Sequence, residues 1–343
     1  EDKMLILNTT KPFYVDKINK VVRMGNFKET GKEIEYQSDV FLLLIENLKE
    51  PINEEKLIEK VSKETNVSKS ELKDVISYLF EEKLIIENEK YEALCDNKYS
   101  RQDLFFSLFT NDFKQNKELF ANKKILILGL GGVGANVAFM LSRAGFENFI
   151  LVDNDIVECT NLIRQYPYSE NDVGKNKTEV LASKLKGNIV IKNIMIDNKE
   201  KILHEVQECD IVICTLDKPF RVIRRLINDI CVNENKPVIF AGFAEHVAMI
   251  GPFVIPHETA CLKCIDKETT DIPLQNVKVV PSYGPMCAMI SSIITNEIVK
   301  YFNNYISYNL KGKTMMFNFA TYETQIINWS KNNTCEECAK YDS

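Results

Sequence analysis

The stretch "ILILGLGGVGANVAFM" (Ile125–Met140) places Gly129, Gly131 and Gly134 as G-x-G-x-x-G, with Gly132 opening the turn further. An apolar run of strand length precedes the glycines and a helical pattern follows them. In that setting glycine lets the main chain approach a phosphate, and the helix N-terminus presents its free N–H groups. Asp153 closes the next strand, where an acid can hold a ribose. These features suit a redox dinucleotide as well as a triphosphate. The following segment, "VDNDIVECTNLIRQYPYSENDVGKNKTEVL", adds Asp155, Asn161, Arg164, Gln165, Lys175 and Lys177. Cations gathered there have no task beside a cofactor that keeps its phosphates. They have one where ATP is split between its α- and β-phosphates and charge builds on the departing pyrophosphate. A solvated charged loop would explain any one of these residues but not the group. Leu216 and Asp217 in "CTLDKPF" end a strand at the sheet's carboxyl edge, where ligands bind in such folds.

Cys261-Leu-Lys-Cys264 and Cys335-Glu-Glu-Cys338 form a second constellation. Four thiolates in two such pairs satisfy a tetrahedral Zn²⁺ with no open position, so the expected role is structural. The metal would pin the tail from Trp329 onward, which has too little apolar content to hold itself. Of the other cysteines, Cys209, Cys214 and Cys231 lie in strand or helix patterns and read as small buried hydrophobes. Cys287 begins the helix "PMCAMISSII", where a helix N-terminus would favour a thiolate nucleophile. The apolar spacing around it favours packing instead.

The elements that must position these groups follow from alternation. "KKILILGL", "FENFILVD", "NIVIKNIMI", "CDIVICTLD" and "KPVIFAGF" are strand-length apolar runs. Helical patterns at 133–144, 175–185, 199–206 and 219–235 separate them, which predicts an α/β fold: a Rossmann-like, doubly wound, mostly parallel sheet. "VAMIGPFVIP" and "TMMFNFATYETQIINW" read as strands added late. The domain reading is residues 1–92 and 93–343. In the first, three helical patterns and a candidate wing, "KLIIENEKYEAL", suggest a winged helix, with Asn53 and Ser68 as N-caps and Glu71 completing a capping box. Residues 1–92 hold 20 acidic and 15 basic side chains, and the whole chain carries a net charge of −6. That balance argues against nucleic acid and for a peptide clamp. No run supports a membrane span and "EDKMLILNTTKPFYVDK" lacks a signal-peptide core, so a cytoplasmic location is expected. Ten cysteines agree with a reducing compartment.

"GLGGVG", "LVDNDIVECTNLIRQ" and "DVGKNK", with "NKYSRQDLF", "CTLDKPF" and the two cysteine pairs, resemble the ubiquitin-activating-enzyme superfamily, which includes the ThiF and MoeB adenylating enzymes. Within it the likeness points to the peptide adenylyltransferases of microcin C type, which carry an amino-terminal peptide clamp. The resemblance implies ATP-dependent adenylation of the C-terminal carboxyl of a short ribosomal peptide ending in asparagine, giving a peptidyl-AMP. It implies that Asp153 holds the ribose, that Asn161 and Arg164 position the triphosphate, and that Lys177 neutralises it. Asp217 would hold Mg²⁺, and Arg101 would reach the ATP site of the other subunit of a homodimer. Two other functions share these residues: activation of a Gly-Gly-ended sulfur-carrier protein, and escort of a leader peptide without catalysis. The polar stretch 266–284 is expected to cover the peptide end.

Overall fold

The computed structural model describes residues 3–26, 31–95, 97–109, 116–218, 222–268 and 281–338. Most of the expected covering loop, residues 269–280, lies outside them. The chain divides into two compact units, Glu1–Gln115 and Asn116–Ser343.

The N-terminal unit runs β1 (Met4–Leu7), β2 (Phe13–Asp16), β3 (Val21–Met24), β4 (Lys32–Glu35), α1 (Val40–Asn47), β5 (Ile52–Asn53), α2 (Glu54–Glu64), α3 (Lys69–Glu81), β6 (Ile85–Glu87), α4 (Asn88–Cys95) and α5 (Ser100–Ser107). Both expected caps form. The Asn53 side chain accepts the Lys56 N–H at 3.0 Å, and Ser68 and Glu71 close a reciprocal box. Leu57, Ile58 and Val61 of α2 and Leu72, Ile76 and Leu79 of α3 meet Leu5, Leu7 and Leu44 in one core. β1 lies between β5 and β6, antiparallel to both, while β2, β3 and β4 form a separate meander. The wing expected at "KLIIENEKYEAL" is instead the short strand β6 followed by helix α4. That segment has no Gly or Pro to reverse a hairpin, its one turn former, Asn88, opens α4, and its Glu, Lys, Ala and Leu favour a helix.

The C-terminal unit holds α6 (Asn116–Phe120), β7 (Lys124–Leu128), α7 (Gly134–Ala144), β8 (Asn148–Val152), α8 (Lys177–Lys184), β9 (Asn188–Lys192), α9 (Leu203–Glu208), β10 (Ile211–Cys214), α10 (Val222–Asn233), β11 (Val238–Ala244), β12 (Val247–Val254), α11 (Leu262–Glu268), α12 (Gly284–Asn303), β13 (Lys313–Asn318) and β14 (Thr324–Asn328). Its eight-stranded sheet has the order β14-β13-β12-β11-β10-β7-β8-β9. The five strands β11, β10, β7, β8 and β9 are parallel, and β12, β13 and β14 extend the sheet antiparallel. β7 and β10 are almost wholly buried, as central strands covered on both faces must be, which is why they read as continuous apolar runs. The strand order reverses between β7 and β10, so a crevice opens beyond their carboxyl ends. No described helix is long and apolar enough to cross a membrane.

Candidate active site

β7 delivers the glycine turn to that crevice. Gly129 sits at φ +88°, a conformation glycine adopts without strain, and its N–H bonds Val152 O at 2.9 Å. A Cβ on Gly134 would lie 1.9 Å from Gly129 O, so only glycine lets α7 start so close to the strand end. Gly132 is equally confined, since a Cβ there would meet Cys287 Sγ at 2.7 Å. Gly131 is different: the nearest atom to its Cβ position is Gln165 Nε2, at 4.0 Å. Among the described residues, the space beside Gly131 is open. Gly131→Ala is accordingly expected to melt within about 2 °C of the wild type while losing at least about tenfold in ATP affinity, because the methyl intrudes on the phosphate path. Thermal melting and nucleotide titration together check this, and an unchanged affinity would refute it.

Thr215, Tyr168 and Asn136, which the sequence reading did not single out, hold the turn together with Leu216. Thr215, just beyond β10, donates to Gly129 O at 2.9 Å and stands 3.0 Å from a Cβ at Gly129. Leu216 packs on the same glycine at 3.1 Å. Tyr168 donates its hydroxyl to Leu130 O at 3.1 Å. Burial, then the charges of Asp153, Asp172 and Asp155, raise its pKa, so it stays a donor. Asn136, buried on α7, donates to Gly132 O at 2.7 Å and Arg164 O at 3.1 Å, which ties the glycine turn to the arginine loop. A polar residue two positions into an otherwise apolar helix was the available signal for Asn136.

Asp153 follows β8. One of its carboxylate oxygens accepts the Leu130 N–H at 2.5 Å and the other the Asp155 N–H at 2.8 Å. The remaining lone pairs are those a ribose diol would use. Lys177, the first residue of α8, is buried, and its ammonium pairs with the exposed Asp155 carboxylate at 2.9 Å. Lys175 is exposed. Arg164 donates to Thr160 O at 2.7 Å, with its stem 3.5 Å from the Cβ position of Gly132. The Asn161 side-chain oxygen accepts the Glu158 N–H at 3.0 Å, a local cap that sets the loop. Gln165 is 2% exposed and its Oε1 is buried with no hydrogen-bond partner, an unpaired acceptor of the sort a bound ligand satisfies. Asp217 is exposed beyond β10. The structure thus brings the glycine turn, Asp153, Asp155, Lys177, Arg164, Gln165 and Leu216 together around one crevice. Arg101 lies exposed on α5, in the other unit.

Cys287 occupies the first turn of α12 but is fully buried against Gly132. Burial pushes its thiol up to about 11, with Arg164 only partly offsetting this, so it is a protonated packing residue. Cys209, Cys214 and Cys231 are buried as expected.

Cys261, Cys264, Cys335 and Cys338 are buried, with all four sulfurs within 4.8 Å of one another. The Cys261–Cys264, Cys261–Cys335 and Cys264–Cys338 Sγ separations are 4.0, 3.7 and 3.4 Å. A tetrahedron with Zn–S bonds of about 2.3 Å has edges of about 3.8 Å, so the set fits zinc. Lys263 crosses between the two pairs to Glu337 at 2.7 Å and also meets Asp229 at 3.0 Å.

Residues 99–338 match the model of the ThiF family. Over 210 residues the chain is 27% identical to the sulfur carrier protein ThiS adenylyltransferase of Escherichia coli K12, covering 59% of this chain and 80% of that protein. It is 28% identical over 249 residues to adenylyltransferase and sulfurtransferase MOCS3 of Caenorhabditis briggsae, covering 70% of this chain but 60% of that relative's length. Among solved structures, E. coli MccB with ATP superimposes with a TM-score of 0.81 at 26% identity over 98% of this chain and 99% of MccB. MccB solved with AMPCPP and MccA gives 0.82 at 25% identity, with the same coverage.

Proposed function

The chain belongs to the ThiF family and is an adenylyltransferase, and from that premise we propose that it uses MgATP to adenylate the C-terminal carboxyl of a short peptide ending in asparagine, as in a microcin C-like pathway. The observation that supports a peptide is the extent of the likeness to MccB. It runs through the N-terminal unit as well as the adenylation unit, over 98% of this chain, whereas the ThiS relative aligns with 59%. In this reading the N-terminal unit, with its five helices and two antiparallel sheets, is a winged-helix-type peptide clamp.

The chemistry is a displacement. A carboxylate oxygen of the peptide attacks the α-phosphorus of ATP, the bond to the bridging oxygen breaks, and pyrophosphate leaves with the electron pair. No proton need move. The chain's part is alignment and charge. The glycine turn and the N-terminus of α7 would seat the phosphates, Asp153 the ribose, and Gln165 and Asn161 the loop against them. Arg164 and Lys177 would face the growing negative charge, joined by Arg101 from the second protomer of a homodimer. Asp217 would hold Mg²⁺, which, when bound, shields the β- and γ-phosphates. The four cysteines would hold structural Zn²⁺. The product is a mixed anhydride, and a second adenylation through a succinimide would give a phosphoramidate.

The similarity to ThiS adenylyltransferase and MOCS3 favours one other reading, activation of a Gly-Gly-ended carrier protein. Pyrophosphate exchange separates them. The expected result is exchange stimulated by an asparagine-ended peptide and not by a Gly-Gly-ended carrier. Stimulation by the carrier alone would transfer the chain to sulfur activation, and silence with both would leave a leader-peptide escort.

A further inference from the structure

The acceptor of this reaction is an anion approaching a polyanion, and none of the residues assigned above holds it. Arg224 lies on the first turn of α10. Its Nη2 donates to the Ala241 carbonyl of β11 at 2.8 Å, and its guanidinium carbon lies 5.5 Å from the centre of the Phe240 ring. Nη2 is 3.9 Å from the Cβ position of Gly242, where the sheet surface carries no side chain. Cys214 and Asp217, at the end of β10, are within its electrostatic reach. The charge therefore lies over β11 at Ala241, within electrostatic reach of Asp217 three residues beyond β10. Its Nε–H is buried and has no hydrogen-bond partner. An anchor for α10 needs only the bond to Ala241. An unpaired guanidinium donor shut off from water is costly unless an acceptor arrives with a ligand.

Resting on the adenylation reading, we propose that Arg224 receives the terminal carboxylate of the acceptor, holding one oxygen while the other is presented to the α-phosphorus. Guanidinium suits this task because its planar fork matches a carboxylate. It offsets the repulsion between the incoming carboxylate, Asp217 and the triphosphate, and it makes recognition depend on a free acid.

The test pairs the protein with the ligand's end group. Binding of an asparagine-ended heptapeptide, as free acid and as C-terminal amide, is measured calorimetrically with AMPCPP present, on full-length wild type, Arg224→Gln and Arg224→Lys. The wild type should favour the acid by about tenfold or more. Arg224→Gln should bind both forms at the amide's level with AMPCPP affinity unchanged, and in turnover should raise the peptide KM far more than it lowers kcat. Arg224→Lys, which keeps the charge without the fork, should retain part of the preference. Equal binding of acid and amide by the wild type, or an unaltered preference in either variant, would overturn the assignment. An unfolded glutamine variant leaves the lysine variant to decide. Absence of pyrophosphate exchange by the wild type with any carboxyl acceptor would instead remove the adenylation reading itself.

Discussion

Lys177→Met is expected to lower AMP transfer by about 1,000-fold or more while leaving the fold intact. Lys177 is 5% exposed at the first position of α8, and its backbone N–H also bonds Asp155 O at 3.0 Å. A buried lysine needs a counter-charge, and the ion pair with Asp155 at 2.9 Å supplies it in the absence of nucleotide. The Asp155 carboxylate is 61% exposed, so removal of Lys177 leaves it in water rather than stranded. The stability cost should therefore be only about 1 kcal/mol, and methionine keeps the stem's packing. Catalysis lacks that tolerance, because charge growing between the α- and β-phosphates must meet a cation fixed in advance. Exchange kinetics and a melting curve on the same preparation check both halves. Exchange within tenfold of the wild type would remove Lys177 from the chemistry.

Stripping zinc is the second large effect. The purified chain is expected to carry one zinc per protomer, released by a strong chelator or by Cys335→Ser with a loss of about 5 kcal/mol or more of stability. Four thiols converge within 4.8 Å, and two of them come from a tail with few apolar groups of its own. The tail's other attachments are individual polar contacts, among them the Trp329 indole N–H to Thr314 Oγ1 at 2.9 Å, the Trp329 backbone N–H to Gly312 O at 3.0 Å, Lys331 to His257 O at 3.0 Å, and Glu337 to Lys263 and Asn233. None of these compensates for a site of four cysteines without its metal. Metal analysis and melting before and after chelation decide the matter. A chain with no bound zinc and an unshifted melt would contradict it.

The parallel sheet was legible because its central strands β7 and β10 are buried on both faces and so read as unbroken apolar runs, punctuated by helical periodicity, whereas the edge strand β9 is largely exposed. The N-terminal unit was legible in its helices, where Asn53 and Ser68 mark the starts, but not in its strands. β1 to β4 are four residues each, too short for alternation to stand out, and β1 pairs with Ile52 and Ile86, which lie far along the chain. The same division runs through the site. Gly129, Gly134 and Asp153 announce themselves by spacing. Thr215 and Tyr168 act on carbonyls 86 and 38 residues away, and no local pattern encodes such a bond. Asn161 shows the converse, since its side-chain oxygen is engaged in a local cap that motif matching alone would not reveal.

The contact between Gly132 and Cys287 has a bearing on how this chain can drift. A methyl at 132 would sit 2.7 Å from the thiol sulfur but 3.4 Å from the Cβ that carries it. Alanine at 132 therefore becomes admissible only where 287 has shrunk to alanine or glycine. Position 132 should thus gain a side chain in descendants of this sequence only after position 287, 155 residues further on, has lost its sulfur, coupling the first turn of a late helix to the residues that greet the phosphates.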